Sequence, residues 1–259
     1  MATAPRSDES VGSTALLEVR GWIAARDPFT VGPLSFSLNR GQILLIFGPS
    51  LSGKTTLLKS LVGLVANTNA LEHKHACELF FDAKRVDLGE QESLAALRAH
   101  VGMVFQNDAL FDSLSALENV ALPLRRRGID SAKALERART ELDRTGLGDA
   151  VAKLPEQLSG GMRKRLGIAR ALAPDCPLLL VDEPLAGLDP ATTLRIVELL
   201  EQTRRAGHAL VIAVADPSPL WRVANRVIAL ESGRVVAQGA PSVVREQTRA
   251  LLSVERESA

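Results

Sequence analysis

The sequence predicts an α/β fold: a parallel-sheet core covered by helices, with an antiparallel β edge and an inserted helical subdomain. Three observations carry this. Residues 43–47, 178–181 and 210–215 are continuous apolar runs rather than alternating ones, the pattern of strands buried on both faces. Amphipathic helical stretches lie between them, as strand–helix alternation requires. The stretch 92–158 is helical in pattern, with one candidate strand at 101–105.

The elements follow in order. Residues 1–14 are small and polar and are expected to form a flexible tail. Short β-like pieces within 16–38 suit the antiparallel edge. After the strand at 43–47, Leu57, Leu58, Leu61, Val62 and Val65 share one helical face. Within 92–158, Ser131 is a candidate N-cap for a helix carrying Leu135, Ala138 and Leu142, and Gly146 is placed to end it. An amphipathic helix is expected over 192–205, with Gly207 just beyond. One domain is expected over 15–245, with the helical subdomain at about 92–158 and a C-terminal tail over 246–259.

Composition excludes several function classes. Lys and Arg number 31 against 30 Asp and Glu, a net charge of +1. So even a balance argues against bulk electrostatic binding of nucleic acid. With no Tyr, seven Phe and two Trp, a base-stacking surface is not expected either. No apolar run reaches the roughly 18–20 residues that span a bilayer, so membrane association is expected only through a partner. Cys77 and Cys176 are the only cysteines; a reducing compartment fits them better than a secreted one.

Residues 48–56 read GPSLSGKTT. Gly48, Gly53, Lys54 and Thr55 satisfy G-x-x-x-x-G-K-[ST], the P-loop pattern, after an apolar strand and before a helix. The glycines let the loop, which runs through Pro49, turn so that the backbone N–H groups of Ser50, Leu51 and Ser52 wrap phosphate oxygens; Pro49 itself has no N–H to give. The helix start at Thr55 and Thr56 adds positive potential. Lys54 is then expected at the β and γ phosphates, and the Thr55 hydroxyl on Mg²⁺. Downstream, residues 178–183 read LLLVDE. Asp182 ends an apolar strand, where a second Mg²⁺ contact belongs, and Glu183 is placed to polarise an attacking water.

Four motifs stand in order: the phosphate loop, Gln106 in VFQ, Ser159–Gly160–Gly161 in LSGGM, and Leu188–Asp189 in AGLD. Together they resemble the ATP-binding subunits of ABC transporters over residues 16–243. The resemblance implies an ATP hydrolase with ATP and Mg²⁺ as ligands, at the cytoplasmic face of the inner membrane against an integral-membrane permease. It further implies head-to-tail pairing with a second ATPase subunit, the same or different. The signature turn Ser159–Gly161 of one subunit would then face the γ-phosphate held by the other. Gln106 would touch Mg²⁺ or the attacking water, Glu183 would act on that water, and Asp189 would contact the partner subunit. Within the family, residues 109–124 and the Met162 variant of the signature resemble the Mla/Mce-type lipid-trafficking ATPases. The alternatives are an importer of amino acids or other small solutes, and a nucleotide-gated regulatory subunit with little turnover.

The sequence departs from the family in three places. Val214, Ala215 and Asp216 stand where a V-T/S-H-D pattern is usual, so Ala215 replaces the switch histidine. Losing such a contact costs about 10²–10³-fold in rate where it stabilises developing charge. Leu51 stands at a position usually glycine. Ile23 falls where an adenine-stacking aromatic is expected, leaving Trp22 or Phe29 as substitutes, with Trp22 equally suited to the core. Two weaker patterns remain. His73, His75 and Cys77 alternate as three Zn²⁺ ligands on a strand would, although a solvated loop explains them better. Arg125–Arg127 suits a solvated helix face, or contact with phospholipid headgroups or an acidic partner loop.

Overall fold

The computed structural model describes residues 15–26, 29–65 and 77–249. Its centre is a six-stranded sheet in the order β10-β9-β3-β8-β7-β6. The strands are β3 (Ile43–Phe47), β6 (Val101–Val104), β7 (Leu178–Asp182), β8 (Ala209–Val214), β9 (Arg226–Glu231) and β10 (Arg234–Gly239). All neighbours pair parallel except β10, which runs antiparallel to β9. The three apolar runs are therefore the three central neighbours β3, β8 and β7. The antiparallel segment is a second sheet rather than an edge of the first. It comprises β1 (Leu17–Arg26), β2 (Phe29–Leu38), β4 (Glu78–Phe81) and β5 (Lys84–Arg85), in the order β2-β1-β4-β5.

Alternation along β3 explains why its pattern is continuous. Leu44 and Ile46 face a core shared with the second sheet, with Trp22, Leu34, Phe36 and helix α1 (Lys54–Ser60). Ile43, Leu45 and Phe47 face the opposite core, built with helix α6 (Pro190–Arg205) through Ile196, Val197 and Leu200. Each such side chain, fully buried, contributes about 1.5–3 kcal/mol relative to exposure.

The stretch 92–158 divides. Helix α2 (Gln91–Arg98) sends Leu97 into the first core, and β6 joins the main sheet. A third core then gathers around helices α3 (Ala116–Arg126) and α4 (Ser131–Arg144). It does not close at 158: Leu166, Ala169 and Ala173 of the next helical segment complete it. They belong to or adjoin α5 (Gly160–Leu172), which on its other side places Ile168, Ala171 and Leu172 in the core under the sheet. One helix thus belongs to both layers.

Local chemistry sets the helix ends. Ser115 and Glu118 form a reciprocal capping box on α3. The N-cap of α4 is Asp130 and not Ser131: its carboxylate accepts from the N–H groups of Ala132 and Lys133. Ser131 is the first helical residue, and a carboxylate one residue earlier caps at least as well. Helix α7 (Pro241–Gln247) runs into Thr248, which is buried and donates its hydroxyl to the Val244 carbonyl. No helix among the described residues is long and apolar enough to cross a membrane.

Candidate functional site

The three adjacent parallel strands deliver their C-terminal ends to one edge. Register pairs Phe47 with Val214 and Asp182 with Ala213, so the segments beginning at Gly48, Glu183 and Ala215 emerge side by side. Ligands of open α/β sheets bind at this edge.

The phosphate loop, Gly48 to Gly53, leaves β3 and turns into α1. Gly53 is the residue before the helix, at φ 100°. A Cβ there would sit 2.2 Å from Val31 Cγ2 and 2.8 Å from Phe29 Cε1, so the second sheet presses against the loop and only glycine fits. Lys54 is 5% exposed and donates to the carbonyls of Gly48 at 2.7 Å and Pro49 at 3.0 Å. Its ammonium is folded over the loop that wraps a phosphate. Ser52 Oγ is buried without a hydrogen-bond partner. Leu51 adopts φ 64° with its side chain 92% exposed. It keeps the backbone turn a glycine would make and projects its side chain off the loop rather than into it.

Beside the loop, Thr55 Oγ1 donates to Asp182 Oδ1 at 2.9 Å. The other carboxylate oxygen, Oδ2, is buried with no partner. Burial pushes the Asp182 carboxyl above its usual range. The neighbouring Glu183 charge adds to this, against the Thr55 hydrogen bond and the charges of Lys59 and Lys54. A hydroxyl and a carboxylate with an orphaned hard oxygen form a donor set that fits Mg²⁺, which takes one or two protein oxygens and fills the rest with water and phosphate.

Glu183 follows with φ 48°. Its Oε1 lies 3.5 Å from Lys54 Nζ, and its Oε2 accepts from the backbone N–H of Ala215 at 3.1 Å. The structure therefore brings Lys54, Thr55, Asp182, Glu183 and Ala215 together, the last offering an amide and a methyl group where a ring would stand. His208 does not replace the missing imidazole. It lies before β8, with Nδ1 2.8 Å from the Cys176 carbonyl and Nε2 3.7 Å from Asp175.

None of the remaining motif residues shares a hydrogen bond or ion pair with this cluster. Ser159 caps α5 by accepting from Met162 N–H at 3.3 Å. The N–H groups of Gly160 and Gly161 begin the helix and have no intrahelical acceptor. Gly161 is also constrained by packing, since a Cβ would lie 2.6 Å from Thr192 Cγ2. Gln106 is exposed on the loop after β6, and no hydrogen bond joins its side chain to Thr55, Asp182 or Glu183. Asp189 caps α6 through Thr192, with N–H at 3.0 Å and hydroxyl at 2.6 Å.

Other patterns resolve differently. Trp22 is a core residue, fully buried, with its indole N–H on Ser60 Oγ at 2.9 Å. Ile23 is buried beside it, whereas Phe29 is half-exposed next to Gly53. His73 and His75 lie outside the described residues; Cys77 donates its thiol to the Gly21 carbonyl. Among the described residues no cluster of three or more His, Cys, Asp or Glu side chains could hold a metal. Arg127 is committed to the Pro174 carbonyl and Cys176 Sγ, both at 3.1 Å. Sequence reasoning missed Asn119, wholly buried, whose amide binds Phe111, Leu114 and Ser115 and so shapes the loop after Gln106. It missed as well the clamp that α5 places on that loop. Neither leaves a local signal, because each partner is remote in sequence or is a backbone atom.

Fold and site together define a P-loop nucleotide-binding cassette with an added helical layer. Comparison with known proteins narrows this. A family profile described as "ABC transporter" matches residues 31–186. The methionine import ATP-binding protein MetN of Rhizobium etli is 37% identical over 207 residues, which is 80% of this chain and 55% of that protein. MetN of Corynebacterium jeikeium is 38% identical over 200 residues, 77% of this chain and 52% of that protein. The chain thus spans little more than half the length of these relatives. Among solved structures, CbiO1 of Clostridium perfringens, part of the ABC transporter complex cbiONQ, superposes with a TM-score of 0.78. It is 27% identical, covering 93% of this chain and 95% of that one. The ATP-binding cassette MJ0796, dimeric and bound to ADP and Pi, gives 0.74 at 28% identity, covering 87% and 98%.

The chain belongs to the ABC transporter family. The relatives are named for methionine import, so the narrower resemblance to lipid-trafficking ATPases gains no support from them.

Proposed function

We propose that this chain is the ATP-driven subunit of an importer for an amino acid or similar small solute. It works in a pair against a membrane permease, on the cytoplasmic face. The observation that carries the site reading is the Thr55–Asp182 hydrogen bond beside the orphaned Asp182 oxygen. Similarity to methionine import proteins favours an amino-acid cargo over a lipid.

The residue roles follow from placement. On ATP binding, Lys54 gives up the carbonyls of Gly48 and Pro49 for phosphate oxygens, and the loop N–H groups from Pro49's neighbours to Thr56 take the remainder. Thr55 and Asp182 would hold Mg²⁺, which would supply positive charge against the bound phosphates. Glu183 loses its ion pair once Lys54 turns to phosphate, which frees its carboxylate to accept a proton from water. The Gly160 and Gly161 N–H groups, which share no hydrogen bond with this cluster and lie at the start of a helix with no intrahelical acceptor, close the γ-phosphate site of a second subunit. Gln106, exposed on the loop after β6, would be the contact to Mg²⁺ or the attacking water. The Ala215 methyl group supplies no hydrogen bond to the γ-phosphate, so turnover is slow.

The permease belongs on the seam between the sheet edge and the helical layer. A groove of about 480 Å³ there is lined by the apolar side chains of Val101, Met103 and Phe111 and carries Arg126 on its rim. It suits a short segment with an apolar face and an acidic end.

Copurification from detergent-solubilised membranes tests the cargo. A permease accompanied by an amino-acid-binding protein supports this reading. A permease accompanied by a lipid-binding protein overturns it in favour of lipid.

A further inference from the structure

The loop after β6 carries Gln106 and then passes through two consecutive left-handed residues, Asp108 at φ 55° and Ala109 at φ 47°. Neither is glycine, and two such residues in succession are uncommon, the Ala109 conformation above all. A loop strained in this way keeps its shape only where its surroundings impose it. Here α5 does so. Lys164, 7% exposed, donates to the Gln106 carbonyl, and its Nζ lies 3.1 Å from Asp108 Oδ1. Arg170 donates to the carbonyls of Asp108 at 2.9 Å and Ala109 at 2.6 Å. Arg163 Nε lies 3.9 Å from Asp108 Oδ2.

These contacts differ from ordinary surface ion pairs, which contribute little. Lys164 and Asp108 are both largely withdrawn from water. Removing either strands the other charge, which is strongly destabilising locally. The helix that holds the loop also begins at Ser159, so the Gln106 backbone and the Gly160–Gly161 N–H groups are fixed to one rigid element.

We propose that Lys164 is a positioning residue. With Asp108 and Arg170 it couples Gln106 to the helix of the signature turn, so that Gln106 takes its place at this chain's own nucleotide together with the turn's placement at the second subunit's. This rests on the reading of Gln106 as a contact to Mg²⁺ or the attacking water. The helix cannot bring its N-terminal amides to the second subunit's phosphate without also carrying Gln106 within its own chain, and the strained loop has no freedom to lag behind it.

The test is a double-variant cycle in single-turnover hydrolysis of radiolabelled ATP by the full chain, using Lys164→Met, Gln106→Ala and both together. Lys164→Met is expected to lower the rate at saturating ATP by about ten- to a hundredfold, as a misplaced group does. Half-saturation should barely move, because the Lys54 cradle is untouched. The double variant should be no slower than Gln106→Ala alone. A merely structural Lys164 would lower the unfolding midpoint and leave the rate per folded molecule unchanged; that result, or additive losses in the double variant, overturns the proposal. Should Lys164→Met fail to fold, Asp108→Asn, which keeps the shape and removes the charge, enters the same cycle. Full activity in Gln106→Ala overturns the reading of Gln106 itself, and the coupling with it. An impaired Gln106→Ala beside a normal Lys164→Met overturns the coupling alone.

Discussion

Glu183 Oε2 accepts a hydrogen bond from the backbone N–H of Ala215 at 3.1 Å, while its Oε1 faces Lys54 Nζ at 3.5 Å. The carboxylate is thus held from two sides without an imidazole. Restoring a ring at 215 would add a hydrogen bond to the γ-phosphate and leave the amide in place. Ala215→His is therefore expected to raise the hydrolysis rate about ten- to a hundredfold, short of the 10²–10³ seen for a donor built into its site. Steady-state phosphate release beside Glu183→Gln checks it. Brisk turnover in the unmodified chain, unimproved by histidine, would contradict the account of slow hydrolysis.

Asp182 bears on stability as well as on Mg²⁺. Its folded carboxyl titrates above its unfolded value, chiefly through burial. The folded state therefore holds that proton more tightly, so the associated stability is present below the unfolded pKa and is lost as pH rises through the folded one. Asp182→Asn is expected to raise the melting temperature of the nucleotide-free chain near neutral pH and to flatten its decline from acid to neutral. It should also abolish the Mg²⁺ dependence of nucleotide binding. Thermal unfolding across pH, with and without MgATP, reads both effects.

Leu51 and Gly53 should respond in opposite ways to exchange. Leu51 sits in a left-handed turn with its side chain in solvent, so Leu51→Gly relieves strain and loses no packing; its unfolding midpoint in urea should stay level or rise slightly. Gly53→Ala drives a methyl group into Val31 and Phe29 at φ 100° and is expected to cost about 1–3 kcal/mol. Equal destabilisation by the two would contradict this description of the loop.

Trp22 is bonded to Ser60 inside the first core, so it contributes to stability and not to adenine. Trp22→Phe should lower stability by about 1–3 kcal/mol, through lost volume and the lost indole donor to Ser60 Oγ, which keeps its own bond to the Leu57 carbonyl. Affinity for MgATP should remain within about twofold, less than 0.5 kcal/mol by the affinity relation. Calorimetric titration of the variant distinguishes the two roles.

Much of this architecture was legible because its signals are local. The strand at Ile43–Phe47 and the loop to Thr55 are written in consecutive residues, and a buried parallel strand has few other patterns available. The charges of Asp182 and Glu183 mark the end of an apolar run in the same direct way. What stayed illegible is non-local. That Ser131 yields the cap to Asp130 depends on backbone angles that either residue could adopt. Trp22 at the adenine site and Trp22 in the core have the same local sequence, and only the second sheet decides between them. The clamp on Gln106 joins side chains to carbonyls some 60 residues away, at separations of 58 to 62, and carbonyls carry no residue identity for a sequence to display.

The most direct test of the site is calorimetric titration of ATP into the full chain, with and without Mg²⁺, beside Lys54→Ala. The expected result is saturable binding that weakens at least about tenfold without Mg²⁺, or about 1.4 kcal/mol, and disappears in Lys54→Ala. Absence of ATP binding in the unmodified chain, or binding indifferent to Lys54→Ala, would contradict a triphosphate held between the glycine loop and the Thr55–Asp182 pair.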